Sequence, residues 1–150
     1  MELQLFGINH KTSKVSEREK FIINETNQII LDNHFKNLFK FELESFFGIT
    51  TCNRTEIYLF GKKDISKKVY KETFKCLDIQ DISSENLYFL DGHDAMVHMC
   101  KVASGIDSQV LGEQEIFGQF KNALHSARQN KFLKRNLLIL SNKVIEISKF

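Results

Sequence analysis

Cys52, Asn53 and Arg54 stand side by side in ITTCNRTEIYLF, residues 49 to 60, between two runs that otherwise read as buried strands. A thiol is a strong nucleophile only as thiolate, and a nearby cation lowers its pKa from about 8.5 toward neutrality. Arg54 carries such a cation. Along an extended backbone it shares a face with Cys52, whereas a tight turn separates the two side chains. Asn53 adds an amide that can orient a carbonyl or carboxylate, and Thr50, Thr51 and Thr55 add hydroxyls around the thiol. A plainer reading stays open beside this one: free cysteine is among the most buried residue types, and Arg54 is then a surface side chain. Cys76 and Cys100 take that structural reading, since each sits in a helical segment beside apolar residues with no polar cluster next to it.

A second cluster lies in residues 93 to 124. His98 falls beside the apolar stripe of its segment, where a histidine is either packed or catalytic. Ser104-Gly105 and Asp107-Ser108 mark a turn, followed by Glu113, Gln114, Glu115 and Gln119 on the opening turns of a helix. These side chains fit helix capping and a solvated face. They equally fit recognition of a ligand amine, because carboxylates near a bound ammonium form charge-assisted hydrogen bonds. Spacing alone leaves both readings open.

A regular order of elements must position these groups. ELQLFGIN, residues 2 to 9, carries Leu3 and Leu5 on one face and Phe6 and Ile8 on the other, which predicts a central strand. Ser16 with Glu19 fits a capping box and predicts a helix from about residue 17 to the low thirties. LESFFGIT and TEIYLFG, residues 43 to 50 and 55 to 61, read as paired strands. Asp64 can cap a second helix with Ile65, Val69, Thr73 and Leu77 at helical spacing, and NLYFLDG, residues 86 to 92, supplies a fourth strand. The order βαββαβ is the ferredoxin-like arrangement, an α+β fold whose antiparallel sheet carries two helices on one face.

After Gly92 the pattern turns helical. Asp94 is a candidate cap, with Ala95, Met99, Val102 and Ile106 near one face. Ile116, Phe120, Ala123 and Ala127 repeat the pattern, as do Leu137, Leu140, Val144 and Ile147. Residues 1–92 thus read as the ferredoxin-like part carrying the thiol, and residues 93–150 as a helical subdomain behind the sheet. Gly105, Gly112 and Gly118 cluster where the first of these helices gives way to the next, a turn suited to forming a site.

Bulk composition narrows the classes. With 150 residues, 42% hydrophobic and 27% charged, the chain can bury one real core. Its net charge of +2, from 21 basic and 19 acidic residues, does not by itself predict a nucleic-acid partner. No apolar stretch reaches the roughly 20 residues of a membrane span, and no secretory leader pattern opens the chain, so the expectation is a cytoplasmic protein without membrane partners. Three widely spaced cysteines predict free thiols, and no CxxC pair exists to hold zinc, so no metal site is expected.

Three blocks in order, GINHKTSKVSEREKF (residues 7 to 21), TTCNRTEIY (50 to 58) and HMCKVASGIDSQVLGEQEIFGQFKNA (98 to 123), resemble the N-terminal catalytic domain of the glutamyl-tRNA reductase family. That family makes glutamate-1-semialdehyde from glutamyl-tRNA, the first committed step of the five-carbon route to tetrapyrroles such as haem. The resemblance implies that Cys52 attacks the aminoacyl ester and holds the glutamyl group as a thioester, which NADPH then reduces. It implies a substrate pocket lined by Thr51, Asn53 and Arg54, with Arg54 suited to a bidentate grip on the glutamate carboxylate. Ser108, Glu113, Gln114, Glu115 and Gln119 match the other substrate-contacting positions. His98 matches the histidine important for activity, as general base for the thiol or general acid for the departing hydroxyl.

Two positions depart from the pattern. Glu115 stands where the family commonly has glutamine, so a carboxylate there favours a cationic group. Ser13 stands at a turn that is often alanine followed by proline. The family's enzymes continue into an NADPH-binding domain and a helical domain that forms the homodimer, and a glutamate-1-semialdehyde aminomutase is an expected partner of the whole enzyme. No G-x-G-x-x-G follows a strand here, so the chain reads as a fragment that binds no NADPH itself. Two other classes stay in view: a thiol-dependent hydrolase of activated esters, and a non-catalytic module binding RNA or a partner.

Overall fold

The alternation in ELQLFGIN places β1 (Glu2–Asn9) at the centre of a four-stranded sheet in the computed structural model, which describes residues 1–105 and 116–148. β2 (Leu43–Thr51) and β3 (Arg54–Gly61) form a hairpin, β4 (Tyr88–Asp91) closes the other side, and the strand order is β2-β3-β1-β4. All neighbouring pairs are antiparallel. This is the split βαβ topology that the element order predicts.

β1, β2 and β3 bury both faces, so their odd and even residues belong to different cores. Phe6, Ile8, Phe46, Ile57 and Leu59 face one core. It is closed by α2 (Glu25–Leu38) and α3 (Ile65–Cys76). Leu3, Leu5, Phe47, Ile49 and Tyr58 face the other. That second core is closed by α4 (Gly92–Ser104), α5 (Ile116–Gln129) and α6 (Arg135–Ser148).

The helix expected from residue 17 to the low thirties is two helices. α1 (Val15–Lys20) ends where Phe21 and Ile23 drop into the first core, and α2 begins after Asn24, whose Oδ1 accepts from the Asn27 N–H at 2.8 Å. The break is held by threonines of the hairpin. Thr50 Oγ1 accepts from the Ile23 N–H at 2.8 Å, and the Thr55 hydroxyl donates to the Phe21 carbonyl at 2.6 Å.

Several expected caps are made by other groups. Glu17, not Glu19, reaches back to accept from the backbone N–H of Lys14, and Ser16 is exposed. Asp64 sits at the start of α3 but adopts a left-handed backbone (φ 65°) and makes no side-chain cap. The cap comes from β1 instead: Gln4 Oε1 accepts from Ser66 N–H at 2.9 Å, while Gln4 Nε2 donates to the Lys62 carbonyl at 2.6 Å. α4 begins at Gly92, so Asp94 lies within its first turn. Ala95, Met99 and Val102 are buried, whereas Ile106 and Gly112 fall outside the described residues. In α6 the inward face is Leu137, Ser141 and Val144, and Ile147 is exposed.

Candidate active site

Cys52 and Asn53 form the two-residue connection between β2 and β3, because Thr51 still pairs with Arg54 across the hairpin. The turn is braced from outside. The Asn53 carbonyl accepts from the His10 N–H at 2.9 Å, and Asn53 N–H donates to Thr51 Oγ1 at 3.2 Å. Arg18 of α1 donates through Nε to the Cys52 carbonyl at 3.3 Å and through Nη1 to the Ser13 carbonyl at 2.8 Å. Cys52 is exposed at the tip, whereas Cys76 and Cys100 are partly covered and burial raises their thiol pKa values.

Directly below the turn the polarity inverts. Arg54 is 1% exposed, and its Nη1 lies 3.6 Å from Glu56 Oε2, itself fully buried. The tight turn therefore separates the exposed thiol from the buried guanidinium. Arg54, Glu56 and Tyr58 are alternate residues of β3, so one face of a single strand presents all three to the core under α4–α6.

Glu56 is the hub. Tyr58 Oη donates to its Oε1 at 2.7 Å, and Oε2 is bonded by Tyr88 Oη and by His98 Nε2. Gly7 makes this convergence sterically feasible, because Glu56 and Tyr88 are its cross-strand partners on either side in the register. A Cβ at Gly7 would come within 2.8 Å of Glu56 Cγ and 2.4 Å of the Thr55 carbonyl. The bare position lets the Tyr88 hydroxyl reach across β1.

The electrostatics follow from these contacts. Burial pushes the Glu56 carboxyl up, but the bond and charge of His98, the charge of Arg54 and the Tyr88 bond outweigh it, so its pKa lies below the ordinary carboxylate value. Burial, together with the Glu56 charge and bond, pushes the Tyr58 hydroxyl well above its usual range. An ionised carboxylate only accepts, so the His98 nitrogen facing it, Nε2, carries a proton. His98 is thus bonded to Glu56 rather than to Cys52.

The structure brings together Thr51, Cys52, Asn53 and Arg54 in one turn and draws His98 to the same sheet face through Glu56. Gln119 is exposed on α5, and Ser108, Glu113, Gln114 and Glu115 lie outside the described residues. Glu56 was not singled out by sequence reasoning. Its signal was present: a charged residue at the middle of the Arg54, Glu56, Tyr58 alternation, flanked by Thr55 and Ile57, which face the other core.

No group of three His, Cys, Asp or Glu is placed to hold a metal among the described residues. A dinucleotide cradle does not fit these residues either, since the sheet has no adjacent parallel strands and no glycine-rich turn leads from a strand into a helix among them. No helix of the described residues is long and apolar enough to cross a membrane.

Comparison with known proteins agrees with this architecture. The family model described as glutamyl-tRNAGlu reductase, N-terminal domain, matches residues 6–150. A glutamyl-tRNA reductase of Wigglesworthia glossinidia brevipalpis is 35% identical over 99% of this chain and 36% of its own length. One from Ruthia magnifica is 33% identical over 91% of this chain and 33% of its own. The solved glutamyl-tRNA reductase from Methanopyrus kandleri superposes with a TM-score of 0.77 at 28% identity, over 98% of this chain and 33% of that one. The chain thus spans about a third of the length of these relatives. With nearly every residue inside the family match and the solved fold reproduced, the chain belongs to the glutamyl-tRNA reductase family, as its N-terminal domain.

Proposed function

We propose that this chain is the acyl-accepting part of a glutamyl-tRNA reductase, taking the glutamyl group from glutamyl-tRNA onto Cys52. The observation that carries this reading is an exposed thiol on a hairpin tip directly above a buried Arg54–Glu56–His98 cluster. In the transfer, the thiolate sulfur bonds to the ester carbonyl carbon, the carbon–oxygen bond to the terminal ribose breaks, and the thiol's proton ends on the released ribose hydroxyl. Arg54 supplies a fixed cation for the glutamate side-chain carboxylate, held in place by Glu56. With Nε2 committed to Glu56, Nδ1 is the His98 atom left to take the thiol proton and return it to the leaving oxygen. Thr51, Asn53 and Gln119, with Ser108, Glu113, Gln114 and Glu115, complete the substrate contacts in this reading.

In the whole enzyme of this reading, NADPH would supply the hydride for reduction of the thioester to glutamate-1-semialdehyde in tetrapyrrole synthesis. The described residues do not fit that cofactor, so the chemistry assigned to this chain stops at the thioester. The whole enzyme is read as a cytoplasmic homodimer that passes its aldehyde to an aminomutase.

The test is an acid-quenched incubation with glutamyl-tRNA, followed by intact-mass and peptide analysis, with Cys52→Ser as control. A glutamyl adduct on Cys52 that vanishes in the control is expected. Its absence from folded wild-type protein overturns the assignment.

A further inference from the structure

At the opposite end of β2 from the thiol lies a cleft of about 430 Å³, between the C-terminal half of α2, the first residues of β2 and the turn joining α5 to α6. Its rim carries Lys36, Lys40, Lys131 and Lys134, and all four are exposed. Its two carboxylates are already engaged. Asp32 pairs with Lys36 at 3.6 Å, and Glu44 accepts from the Asn136 backbone at 3.3 Å and from its side chain at 2.9 Å. Four lysines against two carboxylates leave a surplus equal to the chain's whole net charge of +2, so the remainder of the molecule sums to zero. The cleft thus carries a surplus of positive charge.

The cleft's inner wall is apolar, with Phe35, Phe39, Phe46 and Phe132 all buried. Among the described residues the Ser45 hydroxyl, on a residue only 4% exposed, lines the cleft without a hydrogen-bond partner. A buried hydroxyl without a partner is uncommon. Ammonium groups ringing a narrow slot recognise phosphate as point charges, without reading bases.

The position fits one polyanion. β2 is nine residues long, so at about 3.3 Å per residue the cleft lies about 25 Å from the thiol-bearing turn. At about 3.4 Å per nucleotide along a strand, that span is roughly seven nucleotides. An aminoacylated 3′ end at Cys52 would therefore bring backbone from the first base pairs of its stem to the lysines. We propose that this cleft is a phosphate-backbone subsite for the acceptor stem of the tRNA whose aminoacyl end reaches Cys52, an inference that rests on the acyl-transfer reading above.

The test compares wild type with Lys36→Glu/Lys40→Glu/Lys131→Glu/Lys134→Glu and with the matching four-glutamine variant, by anisotropy titration of glutamate tRNA at several salt concentrations. Both variants should bind at least tenfold more weakly at about 0.1 M salt, and the log–log salt slope should fall by about 3, at 0.7 to 0.9 per lost phosphate contact. Acyl transfer to Cys52 from a small RNA-free glutamyl thioester should proceed at the wild-type rate. Ribose footprinting should show acceptor-stem protection that the variants lose. Unchanged affinity and slope, protection only elsewhere on the tRNA, or an equal loss of transfer from the small donor each overturns the subsite. The two readings fail separately: lysine-dependent tRNA binding without a Cys52 adduct sinks the acyl-transfer reading alone, and an adduct with lysine-independent binding sinks the subsite alone.

Discussion

A fully buried carboxylate that collects a guanidinium, two hydroxyls and an imidazole makes Glu56 the most consequential side chain of the site. Glu56→Gln keeps its shape but removes the charge facing Arg54, and breaking a buried pair in this way costs about 3–5 kcal/mol. Chemical denaturation of the variant should show that loss. The pH dependence has a definite sign. The folded carboxyl titrates below its ordinary 4.5, so the unfolded chain binds more protons and stability falls as pH drops through the lower folded value. Below about pH 4.5 the wild type should therefore lose stability more steeply than Glu56→Gln. Glu17, also held low by the Lys14 backbone and Asn86, keeps a shallower slope in the variant. Gly7→Ala is expected to act on the same hub by crowding Glu56 Cγ and the Thr55 carbonyl, at about 1–3 kcal/mol, the usual cost of overpacking. Thermal denaturation and the adduct assay together would show lower stability and slower transfer. Cys52-Asn53-Arg54 stood out in the residue order and His98 through the family resemblance, but the bonds that join Arg54 and His98 to Glu56 did not. Glu56 and Tyr88 meet only through the register over Gly7, which pairs positions far apart in the chain.

The elements were read from periodicity, and periodicity fixed their type better than their joints. Strand alternation and the helical spacing of Val69 and Thr73 survive in the fold because burial demands them. The break between α1 and α2 was hidden, since no glycine or proline stands between Lys20 and Glu25 to mark it. What decides is a pair of threonine hydroxyls 27 and 34 residues away. The same holds for Gln4, which caps α3 from 62 residues away in place of Asp64. α2 also shields the outer edge of the sheet, because Gln28 Oε1 accepts the Gly48 N–H of β2 at 3.2 Å. Gln28→Leu should leave that buried donor unsatisfied at a cost of about 1–3 kcal/mol. Faster hydrogen exchange confined to the Gly48 amide and its neighbours would check it.

At the scale of the molecule, one sheet separates two cores, and the thiol-bearing turn projects from its end. Cys52 is exposed and its turn is held by backbone groups, so Cys52→Ser should change stability by no more than about 0.5 kcal/mol while abolishing the adduct. A calorimetric scan beside the mass assay separates those two effects. The central place of β1 has a consequence for synthesis. The first strand to be translated lies between the last two strands of the sheet, so it has neither neighbour until residue 61 has been made. At about 5–20 residues per second, ELQLFGIN waits for several seconds as an unpaired apolar segment. During that interval nothing in the fold covers it, and the segment is exposed to aggregation with other chains.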